Sequence, residues 1–193
     1  MKSVCVFCGS ASGSKIEYTE AAKMLGKILA SNNLDLVYGG GNIGLMGVVA
    51  DAVLHENGKV IGVITEKLKN IELAHPCVSE MIVVESMDER KKKMTELSDA
   101  FITMPGGFGT LDELFEVLSL NQLGIIQKPV AILNTKGFYD ALLKHLDLCF
   151  EEKFLRDVHR NSIIVDEDPE KLIEKLMSHQ PASLGKWLDE FKK

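Results

Sequence analysis

Pro105-Gly106-Gly107-Phe108-Gly109-Thr110-Leu111-Asp112-Glu113 is the stretch on which the reading of this chain turns. The apolar run Ala100-Phe101-Ile102-Thr103-Met104 before it has the character of a buried parallel strand. Leu114-Phe115-Glu116-Val117-Leu118 after it has helical apolar spacing. The whole is therefore a strand, a glycine turn and a helix start. Glycines admit a ligand close to the backbone, because no Cβ intervenes. The first amides of a helix have no partner inside it and sit at its positive end, so the turn is suited to an anion, commonly a phosphate. Thr110 adds a hydroxyl. A plainer reading makes Thr110 an N-cap and Glu113 its capping-box partner in the first helical turn. Three glycines in four positions exceed what a cap needs. Glu113 as cap and Glu113 as catalytic group remain evenly matched on these residues alone.

Strand-like and helix-like segments alternate on both sides of this stretch. Ser3–Cys8 reads as a first strand, followed by the small-residue loop Gly9–Gly13 and a helix over about Lys15–Ser31. Leu34–Tyr38 is a second strand. It leads into Gly39-Gly40-Gly41-Asn42-Ile43-Gly44 and a helix to about Glu56. Further strands fall at Lys59–Ile64, Glu80–Glu85, Pro129–Leu133 and Ser162–Val165. Helices are expected over Met87–Met94, from the glycine motif to about Gln122, from about Gly137 to Phe150, and over Pro169–Met177. Thr65–Ser79 reads as a long loop, and the tail from Pro181 as a short helix anchored by Trp187. This alternation predicts an α/β fold with a doubly wound, mostly parallel, Rossmann-like sheet in a single domain over residues 1–193. Ligands of such sheets bind beyond the carboxyl ends of the strands. The loops at Gly9–Gly13, Gly39–Gly44 and Gly107–Thr110 all follow strands and so share that rim. Ser10, Gly40 and Gly41 are expected in the pocket wall.

Composition narrows the function. The 193 residues are 46% hydrophobic with a net charge of −6, which argues against disorder and against a nucleic-acid polymer as partner. No apolar run reaches the roughly 20 residues of a membrane span, and the N-terminus lacks the pattern of a signal peptide. A cytoplasmic protein is the resulting expectation. Cys5 and Cys8 form a C-x-x-C inside the first strand, with no second pair to complete a zinc site, and are read as buried reduced thiols. The Walker spacing is not met at Gly9, Gly13 and Lys15. Gly39, Gly41 and Gly44 do satisfy G-x-G-x-x-G, and Glu66 stands near the distance of a ribose-binding acid. The fingerprint follows the second strand rather than the first, which leaves a nicotinamide cofactor the weaker reading.

The sequence resembles the LONELY GUY family of cytokinin-activating phosphoribohydrolases over nearly its whole length. The resemblance rests on Cys8-Gly9-Ser10, Tyr38-Gly39-Gly40-Gly41 with Gly44-Leu45-Met46-Gly47, Arg90-Lys91 with Met94, Asp99-Ala100-Phe101-Ile102 and the PGGxGTxxE motif at Pro105–Glu113. Gln122-Leu123-Gly124, Lys128-Pro129-Val130 and Leu133-Asn134 complete it. It implies hydrolysis of the N-glycosidic bond of N6-modified adenosine 5′-monophosphates to free base and ribose 5-phosphate. It also implies a homodimer, and neither cofactor nor metal. Arg90 and Glu113 fall on the family's catalytic pair. Gly107, Phe108, Gly109 and Thr110, with Leu111 and Asp112, fall on its phosphate-binding motif, and Glu72, Lys91 and Ser119 on further nucleotide contacts. Arg90 is expected to clamp the phosphate and position Glu113. Asp88, Leu120 and Thr65 stand where the family commonly has histidine, tryptophan and proline, which keeps plain AMP open as substrate. Members are often labelled lysine decarboxylases, but no lysine here sits in a context assignable to pyridoxal phosphate. A non-catalytic nucleotide-binding module on the same rim is the alternative.

Overall fold

Along each strand, successive side chains point to opposite faces of the sheet, and the sequence supplies apolar residues to both. Val4 and Val6 face one way; Cys5 and Phe7 face the other. A sheet apolar on both faces needs helices on both. The computed structural model, described for residues 1–71 and 74–179, has that arrangement. Its strands are β1 (Ser3–Phe7), β2 (Asp35–Tyr38), β3 (Val60–Thr65), β4 (Glu80–Val84), β5 (Ala100–Thr103), β6 (Val130–Leu133) and β7 (Ile163–Asp166). They form one sheet in the order β4-β3-β2-β1-β5-β6-β7, and every neighbouring pair is parallel.

The helices are α1 (Ile16–Ser31), α2 (Gly44–His55), α3 (Glu66–Ile71), α4 (Met87–Leu97), α5 (Phe108–Gln122), α6 (Asp140–Glu151), α7 (Asp157–Arg160) and α8 (Pro169–Ser178). One core layer joins Val4, Leu36 and Ile102 of the sheet to Leu25 of α1, Val49 of α2 and Leu172 of α8. The other joins Phe7, Val63 and Phe101 to Met94 of α4, Leu114 of α5 and Leu146 of α6. Phe7 and Phe101 stack across the strand pair, centroids 5.8 Å apart. Among the described residues, no helix is long and apolar enough to cross a membrane.

The chain builds outward from β1 through β4, returns to place β5 on the other side of β1, and builds outward again. Strand order thus reverses between β1 and β5, and the loops after these two strands diverge there to leave a crevice. Backbone bonds continue past the strands to shape it. Met104 N donates to Phe7 O at 2.8 Å, Gly9 N to Pro105 O at 3.0 Å, and Leu45 N to Gly9 O at 3.0 Å. The glycine loops after β1 and β5 are tied to each other and to the start of α2.

Several expectations need correction. The Thr65–Ser79 loop contains α3, whose two turns are too short to show apolar periodicity. The helix expected from Gly137 is preceded by a 3₁₀ turn over Thr135–Gly137 and begins at Asp140, because Lys136 takes a positive φ of 54° that breaks it. Strand β7 is shifted one residue, to Ile163–Asp166, and Cys8 lies just beyond β1. Helix α7 was not foreseen. The tail helix and Trp187 lie outside the described residues.

Candidate active site

The crevice at the strand reversal holds a cavity of about 350 Å³. Cys8, Gly9 and Ser10 line it from the loop after β1, and Gly107–Thr110 with Asp112 and Glu113 from the motif after β5. Met46, Leu68, Met87 and Arg90 close it from α2, α3 and α4. A second hollow of about 330 Å³ adjoins it behind Gly9, Ser10 and Gly107, walled by Tyr18 and Phe138.

Helix α5 begins at Phe108, with Gly107 as its N-cap and no side chain capping it. The capping-box reading is therefore overturned: Thr110 is already inside the first turn and Glu113 belongs to the second. The Thr110 hydroxyl packs against Gly106 so closely that a Cβ on Gly106 would overlap it, which explains the glycine there. The uncapped amides at the start of α5 border the cavity, as an anion site requires.

Arg90 is nearly buried, at 6% exposure. Its Nε donates to Val63 O at 2.9 Å, Nη2 to Gly39 O at 3.2 Å, and Nη1 to Glu113 Oε1 at 3.0 Å. One carbonyl within β3 and one just beyond β2 thus grip one side of the planar guanidinium and aim another at the carboxylate. Glu113 keeps 11% of its side chain exposed, toward the cavity it lines. A Cβ on Gly39 would overlap Arg90 Nη2, so this glycine makes room for the arginine. The run Arg90–Lys93 does not start its helix. Ser86 caps α4, accepting from Glu89 N at 3.1 Å, while Glu89 Oε2 accepts from Glu85 N at 3.0 Å. Asp88 and Glu89 fill the first turn, as the helix dipole favours. Ser86-x-x-Glu89 was the readable signal for this start.

Lys91 leaves the cavity. It pairs with Glu116 at 2.6 Å and Asp112 at 3.1 Å, and the hydrogen bond it donates to Glu116 raises its pKa. Ser119 does not line the cavity either; it is nearly three turns of α5 beyond its start and faces a separate hollow. Leu111 packs into the core beneath α5. Gly40 and Gly41 stand outside the lining: Gly40 O accepts from His75 N at 3.0 Å, and Gly41 bridges to Ala74. Ser10 does line the cavity. Glu72 lies outside the described residues. Met46, Leu68 and Met87 are lining residues that the sequence reading did not assign to the pocket. Burial first, and the Glu113 carboxylate second, push the Cys8 thiol well above its ordinary pKa, so it stays a neutral part of the floor.

Tyr139 holds the glycine turn from below. Its hydroxyl donates to Met104 O at 2.8 Å, its amide donates to Asn134 Oδ1 at 2.7 Å, and it is 3% exposed. Replacing Tyr139 with Phe leaves the Met104 carbonyl without this donor, next to Pro105. Leaving one buried acceptor unsatisfied costs about 1–3 kcal/mol. Equilibrium titration with an anionic ligand is expected to show affinity for the crevice falling about tenfold. A rise confined to thermal lability, with affinity unmoved, would reduce Tyr139 to a packing residue.

Relatives with known names bear on this site. The family model described as "Possible lysine decarboxylase" matches residues 46–176. The cytokinin riboside 5′-monophosphate phosphoribohydrolase LOG3 of Arabidopsis thaliana is 48% identical over 179 residues, 92% of this chain and 83% of that protein. LOG1 of the same plant is 46% identical over 180 residues, 93% and 84% of the two chains. The chain belongs to the LONELY GUY family. This LONELY GUY protein also shares its fold with the molybdenum cofactor binding protein of Rippkaea orientalis (TM-score 0.70, 25% identity, 92% of this chain and 97% of that one). The molybdenum cofactor carrier protein of Chlamydomonas reinhardtii has the same fold at TM-score 0.66 and 19% identity, over 92% and 98% of the two chains.

Proposed function

We propose that the protein hydrolyses the N-glycosidic bond of N6-modified adenosine 5′-monophosphate, releasing the free base and ribose 5-phosphate. The observation that carries this reading is the Glu113 carboxylate, held by a buried Arg90 and facing a cavity that also receives the N-terminus of α5. The relatives named for this reaction support it. The 5′-phosphate sits at the α5 amides around Gly107–Thr110, where the helix end favours an anion. As the C1′–N9 bond breaks, its electron pair leaves with the base, which takes up a proton. The ribose develops oxocarbenium charge, and water adds to C1′ and loses a proton. Glu113 faces that developing charge and accepts a hydrogen bond from the hydroxyl lying against it, as carboxylates do in sugar hydrolysis. Arg90 acts through Glu113, since three of its donor groups are engaged by Val63, Gly39 and Glu113.

Met46, Leu68, Met87 and Phe108 form the apolar part of the lining. Phe108 is 95% exposed and Met87 44% exposed, an apolar rim suited to an N6 substituent. Phe108→Ala is expected to raise KM for N6-isopentenyl-AMP by about tenfold and leave that for AMP nearly unchanged, since removing a large apolar contact costs roughly 1–3 kcal/mol. Equal effects on both nucleotides would place the substituent elsewhere. Decarboxylation of lysine finds no support in the cavity: no lysine lines it among the described residues, so none is placed to carry pyridoxal phosphate.

The reading includes an AMP-class nucleotide as partner, a homodimer and a cytoplasmic location; family resemblance supports the dimer, and sedimentation velocity tests it. The reaction is tested by incubating the protein with AMP and N6-isopentenyl-AMP and following free base by chromatography. Release by the wild type, lost in Glu113→Gln and Arg90→Ala, establishes the activity. Nucleotide binding without release would make the protein a binding module.

A further inference from the structure

His75 lies outside the lining of the catalytic cavity, yet it is 5% exposed and hydrogen-bonded through its backbone and both ring nitrogens. Its amide donates to Gly40 O at 3.0 Å. The Cys77 amide donates to its Nδ1 at 3.2 Å. Nδ1 therefore carries no proton, and the ring's proton sits on Nε2, which donates to Asp51 Oδ1 at 3.1 Å. Beside it, Ala74 N donates to Lys69 O of α3 at 3.2 Å, and Ala74 bridges to Gly41. His75 thus ties together three pieces of the chain: the segment leaving α3, the glycine loop after β2, and α2, which carries Asp51.

Each of the three pieces contributes to the catalytic cavity. Leu68 of α3 and Met46 of α2 line it. Gly39, next to Gly40, gives its carbonyl to Arg90 Nη2 at 3.2 Å, and Arg90 aims Glu113. At its first turn α3 is tied to β3, where Thr65 Oγ1 accepts from Leu68 N at 3.2 Å; His75 supplies the tie at the far end. Resting on the phosphoribohydrolase reading, we propose that His75, with Asp51 as its partner, is a positioning residue for that reaction. The pair holds the glycine loop so that the Gly39 carbonyl meets Arg90, and Glu113 stays aimed at the ribose. His75 touches no reacting atom. It acts in the β2–β3 wing of the sheet, whereas the anion site at the start of α5 belongs to the other wing. Loss of the tie should therefore lower kcat and leave the hold on the phosphate unchanged. Asp51 separates this role from packing: its side chain is 71% exposed, so truncating it removes little from the core.

Asp51→Ala is expected to lower kcat about fivefold, and Asp51→Asn, whose side-chain oxygen still accepts from Nε2, to keep it near the wild-type value. His75→Leu, which also leaves the Cys77 amide without its acceptor, should lower kcat about twentyfold. Affinity for ribose 5-phosphate, measured by calorimetry, should stay within about twofold of wild type in all three variants. A residue that only supports packing would instead lower thermal stability, with kcat per folded molecule unmoved. By NMR, the Arg90 Nε–H resonance should shift in His75→Leu and in Asp51→Ala, a readout that needs no turnover; the Asp51 variant keeps it open if His75→Leu fails to fold. Unchanged kcat in Asp51→Ala, an equal loss in Asp51→Asn, or a parallel loss of ribose 5-phosphate affinity overturns the proposal. Absence of base release by the wild type overturns the reaction reading instead; an unmoved Arg90 resonance would then overturn the positioning role as well.

Discussion

Glu113→Gln protein is expected to lose about 10³-fold in kcat while its KM for the nucleotide changes by no more than a few-fold. The amide is nearly isosteric with the carboxylate and can still accept from Arg90 Nη1 through its oxygen, so the pocket keeps its shape. In the proposed reaction, what disappears is the negative charge facing the developing oxocarbenium, an effect of about 10²–10⁴ for a positioned carboxylate. A loss in kcat and kcat/KM together is the signature of an interaction made only in the transition state. Steady-state rates with N6-isopentenyl-AMP decide it. An unchanged kcat would remove Glu113 from the chemistry, and a rise in KM alone would make it a binding residue.

Arg90→Ala should be the most damaging single substitution in the site, because it fails on two counts. It takes away the group that aims Glu113 and is its ion-pair partner, and it leaves two carbonyls, Val63 O and Gly39 O, without the donor that Arg90 supplies. Removing one member of a buried ion pair destabilises by about 3–5 kcal/mol. In a domain of this size that corresponds to a fall in melting temperature of roughly 10 °C, together with kcat below detection. Arg90→Lys should rescue little of the activity. An ammonium keeps the charge but has no planar fork to span both carbonyls and the carboxylate. Thermal unfolding and kcat measured side by side separate the two effects. A lysine variant with near-normal turnover would show that charge alone suffices, and would contradict the geometry described for Arg90.

How much of this was legible beforehand depended on the range of the interaction. The alternation of strands and helices, the shared rim of glycine loops and the anion-ready start of α5 were readable, because apolar periodicity and glycine spacing are local signals. The strand reversal between β1 and β5, the feature that opens the crevice, was anticipated only as a general property of such sheets. The capping-box reading of Thr110 and Glu113 failed because a pattern of residue types does not fix where a helix begins; α5 is capped at Gly107, three residues earlier, and starts at Phe108. The same pattern at Ser86 and Glu89 did mark a true helix start. Lys91 and Ser119 were carried into the site by resemblance. The structure turns Lys91 toward Glu116 and Ser119 toward another hollow, outcomes set by helix phase and ion pairing rather than by sequence proximity. Leu68 carried no signal, since α3 is too short for one. The engagement of Arg90 with Val63 and Gly39 joins residues 27 and 51 positions away, beyond what local spacing can report.

That engagement also bears on how activity returns when the unfolded protein refolds. Arg90 is gripped by Val63 of β3 and Gly39 just past β2, in one wing of the sheet, while Glu113 belongs to the helix that follows β5 in the other wing. Neither wing alone contains a working pair, and contacts between distant segments must wait for costly loop closure. Enzymatic recovery should therefore track the slowest cooperative phase and show no early fraction, even where helical signal is already regained. A partly assembled chain would carry no premature hydrolase into a pool of nucleotides, because catalysis and completion of the sheet are the same event.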